Sequence, residues 1–153
     1  MNEYQFGRYF EDFKTGDTYN HRLGKTITES DNNLFCLITM NHHPVHLDHN
    51  FASTAKHKKI LVAGTLTFSL VVGLTVPDIS GSAIANLCYE NVDHLEPVFI
   101  NDTIYADSII LDKKRSSSEK MHGVITVQTT AHNQNGQKVL LFRRKILVPM
   151  RPT

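Results

Sequence analysis

Along this chain the spacing of apolar residues changes near the middle. In the run ESDNNLFCLITM, Leu34, Leu37 and Ile38 fall at i, i+3 and i+4, which predicts a helix with one face on a core. Thr28 ahead of that run supplies an N-cap hydroxyl, and Asp31 three residues later completes a capping-box pattern. The helix is expected to close at Asn41, before the polar stretch HHPVHLDHN, and a short second helix to span Asn50–Lys56. Ile60–Val76 then runs seventeen residues without a charge and predicts a buried helix that starts near Gly64 and ends at Pro77. After the turn-type segment DISGSA the period falls to two. Strands are expected over Ala83–Val92, Thr103–Lys113, His122–His132 and Lys138–Val148, divided by the breakers NDT, RSSSEK and NQNGQ. Asn135-Gly136 is a hairpin signal, and an earlier strand is expected over Thr18–Thr26. The sum is one α+β domain over residues 1–153, with an apolar helix lying on an antiparallel sheet of about five strands.

Length and composition narrow the class. A chain of 153 residues fits one domain, and 16 Lys plus Arg against 15 Asp plus Glu leave a net charge of +1. No field of one sign recruits nucleic acid or an anionic bilayer. The apolar run is shorter than the roughly 20 residues of a spanning helix and holds three Thr, one Ser and two Gly, so a membrane helix is not expected. The first twenty residues mix both charge signs with aromatics and read as no export signal. Cys36 and Cys88, each inside an apolar run, read as buried free thiols of a reduced, cytoplasmic compartment.

The candidate chemistry lies in Asn41–His49, since five of the nine histidines fall between positions 42 and 57. Three readings stand side by side. His42 with His46, or His46 with His49, could join Asp48 on a metal ion, although Pro44 breaks the helix that the first pair needs. The histidines could be ordinary loop residues. One of them, beside an apolar pocket, could be a proton acceptor. The helix that starts near Gly64 adds unsatisfied N–H groups carrying partial positive charge, and Gly64 itself lets a ligand approach the backbone. With no polar face, that helix needs cover on all sides, from the sheet and from a second subunit.

The order of residues in TITESDNNLFCLITMNHHPVHLDHNFA, followed by VAGTLTFSLVVGL, resembles the hydratase motif of the MaoC-like family of hot-dog-fold proteins, which includes (R)-specific enoyl-CoA hydratases. His46 matches the family's catalytic histidine, Pro44, Val45, Leu47 and Asp48 its neighbours, Ala52 a small residue, and Gly64 the glycine heading the central helix. FEDFKTGD and NVDHLEPVFINDTIYADSIILDKKRS are similar to other family segments, so the resemblance covers nearly the whole chain. Two positions depart from it: Asn41 stands where the family has its catalytic aspartate, and Ala63 where it has a histidine. The wording Met40-Asn41 through His46-Leu47-Asp48 is similar to a mesaconyl-CoA hydratase-like subgroup.

The resemblance implies a hot-dog fold and hydration of a trans-2-enoyl-CoA, or dehydration of a 3-hydroxyacyl-CoA, of short branched or dicarboxylic type, within fatty acid metabolism. His46 would be the base, the Gly64 amide the oxyanion donor, and Asn41 an orienter of water. Asp48, Ala63, Thr65, Leu66 and Lys59 are the expected substrate-binding residues, with Asp48 weighed mainly as a loop-shaping residue. Leu66, Ser69, Leu70 and Gly73 would wall an acyl tunnel. Lys56, Lys58 and Lys59, or Lys113, Lys114 and Arg115, would meet the CoA phosphates. No cofactor or metal is expected, and the partners are an acyl-CoA and a second copy of the chain. A hot-dog thioesterase and a non-catalytic acyl-thioester-binding subunit remain the alternatives.

Overall fold

Five strands form in the computed structural model, which describes residues 6–117 and 121–152. They are β1 (Thr18–Thr26), β2 (Ala85–His94), β3 (Thr103–Arg115), β4 (His122–His132) and β5 (Lys138–Pro149), in one antiparallel sheet ordered β1-β3-β4-β5-β2. β3 and β5 alternate in burial over most of their length, and β4 alternates buried and half-buried positions along its whole length, as a strand with one core face must. β2 begins two residues later than the sequence predicts, because Ala83 and Ile84 are still leaving the preceding turn. The Asn135-Gly136 turn forms with Gly136 at φ +74°, and the Asn133 side chain accepts from the N–H groups of Asn135 and Gln137. Of the breaker RSSSEK, Ser118–Lys120 lie outside the described residues.

Four helices precede or cross the sheet: α1 (Glu29–Thr39), α2 (Pro44–Leu47), α3 (His49–Thr54) and α4 (Gly64–Thr75). The capping box forms as predicted, with Thr28 accepting from the Asp31 N–H and Asp31 accepting from the Thr28 N–H. The expected packing of α1 does not form. Leu34, Leu37 and Ile38 are 60%, 66% and 70% exposed, and the inward face carries Asn32 and Cys36. Residues Pro44–Leu47, read from sequence as loop, make a short helix because Pro44 sits at its first turn, where its missing N–H costs nothing.

α4 lies on the sheet through Thr67, Val71 and Thr75, while Thr65, Ser69 and Gly73 on the opposite face are exposed. Within one chain, then, the helix is covered on one side only. Leu66, Phe68, Leu70, Val72 and Leu74 flank the buried line and pack against Ile104, Val139 and Phe142. Phe68 meets Phe142 edge to face at 5.1 Å. Pro77 does not end the helical run: lacking an N–H to continue the ladder, it sits in a single π turn over Val76–Ser80. Two buried polar groups tie this end to the sheet. Arg144 donates to Thr75 Oγ1 at 2.7 Å and Asn86 Oδ1 at 3.0 Å. His21 donates from Nδ1 to Asp78 at 2.9 Å, with Nε2 2.9 Å from Ser108 Oγ.

Candidate active site

The connection Ile60–Ala63 brings the two ends of the site together. Leu61 donates its N–H to the Val45 carbonyl at 3.2 Å and accepts at its own carbonyl from His46 Nδ1 at 2.7 Å. On its other side the segment pairs with the Val98–Phe99 stretch, Val62 N–H donating to the Val98 carbonyl at 2.9 Å. A carbonyl only accepts, so Nδ1 of His46 carries the proton, and in the neutral ring Nε2 holds the free lone pair. That atom bonds to no group among the described residues, and the ring is half-buried.

Leu61 stands three residues before Gly64, a reach of at most about 11 Å between the two Cα atoms. Ala63 caps α4 with no side-chain hydrogen bond, and its carbonyl takes the N–H groups of Leu66 and Thr67. The N–H groups of Gly64 and Thr65 are left over, unsatisfied and at the positive end of the helix. With alanine at position 63, no side chain competes with a ligand for them.

Asn32 is the residue that sequence reasoning missed. Fully buried on α1, it donates from Nδ2 to the His46 carbonyl at 2.9 Å and accepts at Oδ1 from the Ala63 N–H at 3.0 Å. One amide thus spaces the histidine turn against the start of α4. The available signal was a polar residue one helical turn before Cys36 on the same face. Cys36 sits beside it, and burial pushes its thiol pKa upward.

The other expected residues divide. Asn41 follows Met40, which ends α1 in the left-handed region at φ 57°, and donates its N–H to the Cys36 carbonyl, so it is half-buried at the far end of the turn leading to His46. Asp48 caps α3 by accepting from the Phe51 N–H, and Ala63 is buried with its N–H spent on Asn32. The structure gives both of these architectural work. Thr65 is exposed and Leu66 half-buried. Lys59 Nζ lies 3.8 Å over the ring of Phe99, while Lys56 and Lys58 are exposed. Lys113 is no free cation for a phosphate: its Nζ donates to the carbonyls of Phe10 and Phe13, and Lys114 pairs with Asp112 at 2.9 Å.

His43 and His49 have separate work. His43 accepts the Val45 N–H at Nδ1, and His49 Nε2 lies 2.6 Å from Glu29 Oε1. Among the described residues no three His, Cys, Asp or Glu side chains are grouped to hold an ion. Cys88 is half-buried, where the sequence reading has it buried, because β2 is an edge strand with one side open.

A cavity of about 330 Å³ opens beside the helix start, lined by Leu61, Gly64, Thr67, His94, Glu96 and Val98 among others. Neither His46 nor Asn41 lines it directly; His46 meets it through Leu61. A Cβ added at Gly64 would stand 3.0 Å from His94 Cε1 and 3.2 Å from His94 Nε2, so this imidazole lies over the glycine. Thr67 Oγ1 is buried without a hydrogen-bond partner.

Comparison with known proteins gives the family and the fold. The MaoC like domain matches residues 12–133. A mesaconyl-CoA hydratase of Cereibacter sphaeroides is 35% identical over 147 residues, covering 96% of this chain and 43% of the relative. An (R)-specific enoyl-CoA hydratase of Rhodospirillum rubrum is 30% identical over 150 residues, covering 94% and 93%. The crystal structure of a putative MaoC domain protein dehydratase from Chloroflexus aurantiacus superposes with a TM-score of 0.93 at 30% identity, over 99% of this chain and 43% of that one. A Mycobacterium tuberculosis protein described as a double hotdog fold superposes at 0.86 with 20% identity, over 95% and 45%, which bears on the fold alone. The chain spans less than half the length of the mesaconyl-CoA hydratase it matches. With the family profile covering most of its length and one relative aligned over 94% of this chain and 93% of its own length, the chain belongs to the MaoC-like domain family and has the hot-dog fold.

Proposed function

We propose that this chain hydrates a trans-2-enoyl-CoA, or dehydrates the matching 3-hydroxyacyl-CoA, with short branched or dicarboxylic acyl groups as the preferred class. The observation that carries the reading is His46: its Nδ1 donates to the carbonyl of Leu61, which stands three residues before two unsatisfied helix-start amides, and this leaves the Nε2 lone pair free. Hydration needs a base for water and a holder for the charge that develops on the thioester oxygen. Nε2 meets the first need and the Gly64 and Thr65 N–H groups the second. One such donor contributes on the order of 10²–10³ in rate, and a positioned base roughly 10²–10⁴. The acyl preference rests on the names of the relatives, a mesaconyl-CoA hydratase and a beta-methylmalyl-CoA dehydratase. Loss of enoyl absorbance across a panel of acyl-CoAs tests the reading, with His46→Ala as control. Undiminished activity in that variant refutes the site.

Asn41 favours a second reading, since an amide cannot accept a proton at neutral pH. A non-catalytic acyl-thioester-binding subunit would bind crotonyl-CoA, leave its absorbance unchanged, and gain activity on Asn41→Asp. A thioesterase would instead release free CoA thiol. The proposed assembly is two copies of the chain joined along the sheet edge. Its support is that β2 is an edge strand with Leu87 and Tyr89 exposed, that α4 bares Thr65, Ser69 and Gly73, and that several relatives are more than twice as long. Lys59, over the ring of Phe99 next to the cavity-lining Val98, is the proposed phosphate contact.

A further inference from the structure

We propose that His94 is a second acid–base residue of this site and does the proton work that Asn41 cannot; the inference rests on the hydratase reading above. Two imidazoles flank the same four residues. His46 is bonded at Leu61, the beginning of the stretch, and His94 lies over Gly64, its end, with Nε2 3.2 Å from the position a Cβ would take there. His94 lines the cavity into which the helix start opens, and neither of its ring nitrogens bonds to a group among the described residues. Thr67, in the first turn of α4 and lining the same cavity, keeps Oγ1 buried and unpartnered, which marks a place where a polar ligand atom completes the structure. Glu96 is the carboxylate that shares the cavity wall with His94.

The chemistry balances with one neutral and one protonated imidazole. His46 Nε2 takes a proton from water as the water oxygen bonds to Cβ. The π pair of the double bond moves through Cα onto the thioester oxygen, which the N–H groups of Gly64 and Thr65 hold. As the carbonyl re-forms, the pair returns to Cα and takes a proton from His94. His46 ends protonated and His94 neutral, and one proton exchanged through solvent resets the pair. Dehydration runs the same steps backwards, with neutral His94 removing the acidic proton beside the thioester.

The test is His94→Gln, which keeps a hydrogen-bonding amide near the same place but cannot relay a proton. His94 is exposed, so the substitution leaves the core untouched. On crotonyl-CoA, kcat is expected to fall about 10²–10⁴-fold while KM stays within about threefold. Adding Asn41→Asp to the His94→Gln protein is expected to restore turnover at least about tenfold, because a carboxylate then supplies the missing proton carrier. Wild-type kcat in His94→Gln overturns the proposal. So does a loss that appears in KM alone, or one that Asn41→Asp does not relieve, since either assigns His94 to binding or packing. A wild-type protein that leaves every enoyl thioester unchanged overturns the hydratase reading and this inference together, whereas an active wild type with an equally active His94→Gln overturns only the inference.

Discussion

Replacing Asn32 with alanine removes the side chain that, among the described residues, bonds both the His46 turn and the start of α4. Two hydrogen bonds disappear, one to the His46 carbonyl at 2.9 Å and one from the Ala63 N–H at 3.0 Å. Ala63 is fully buried, so its N–H has no water to turn to and costs about 1–3 kcal/mol when left unsatisfied. His46 is half-buried and its carbonyl can recruit solvent, which limits that loss to about 0.5–1.5 kcal/mol. The total of about 1.5–4.5 kcal/mol is less than the usual 5–15 kcal/mol stability of a domain, so the variant should fold. Its effect on rate should exceed its effect on stability. With only the Leu61 bonds to Val45 and His46 still tying the histidine turn toward the start of α4, a displacement of about 1 Å is expected to cost on the order of 10²-fold in kcat. Asn32→Asp separates the two bonds: an oxygen remains for the Ala63 N–H, but the donor to His46 is lost and two acceptors face each other. It should therefore hurt turnover and, as a buried carboxylate with no counter-charge, cost at least as much stability as the alanine. Urea denaturation gives the first quantity and crotonyl-CoA turnover the second. Wild-type kcat in a measurably destabilised Asn32→Ala protein would refute the argument that this amide sets the catalytic spacing.

Three further outcomes follow from other parts of the structure. The Asp31 carboxylate, bonded by Lys25 and then by the Thr28 N–H, has its pKa lowered to about 2; its stabilisation is full above the ordinary value near 4 and is lost as pH falls through 2. Denaturation midpoints measured from pH 5 to pH 2 should therefore fall less steeply in Asp31→Asn, by an amount limited to about 1 kcal/mol because the cap is at the surface. His21→Ala strips partners from Asp78 and Ser108 in a buried chain that continues to Thr129, so a loss of about 2–4 kcal/mol in stability is expected, read by thermal unfolding. Native alkylation with iodoacetamide, followed by peptide mass spectrometry, should modify Cys88 well before Cys36, whose thiol is fully buried and pushed up in pKa; equal labelling would mean that α1 opens readily.

The parts legible in the sequence are those governed by local rules. Period-two runs placed β4 to the residue, and β3 and β5 within two, because alternation reports directly which side chains face a core; the earlier strand expected over Thr18–Thr26 is β1. The Thr28–Asp31 cap and the Asn135-Gly136 turn formed for the same reason, each being an interaction among residues within a few positions. Gly64 could be identified as the start of α4 because the apolar run and the family spacing both met there.

Where local rules ended, the reading went astray. Leu34, Leu37 and Ile38 do mark one face of α1, but periodicity cannot say whether that face looks inward, and the inward side proved to be held by an amide. Lys113 reads as a free cation until β3 brings it against the carbonyls of Phe10 and Phe13, a hundred residues away. His94 carries no signal of its own, being one histidine at the end of a strand.

By itself, then, the sequence determined the strands, the caps, the apolar helix and the histidine turn, all of which depend on neighbours along the chain. Only the tertiary structure decided which nitrogen of His46 is free, which amides at the start of α4 are unspent, and that Asn32 and His94 join them. Those facts depend on hydrogen bonds and contacts between segments 15 to 31 residues apart, and a buried donor or acceptor is assigned only when its distant partner is known.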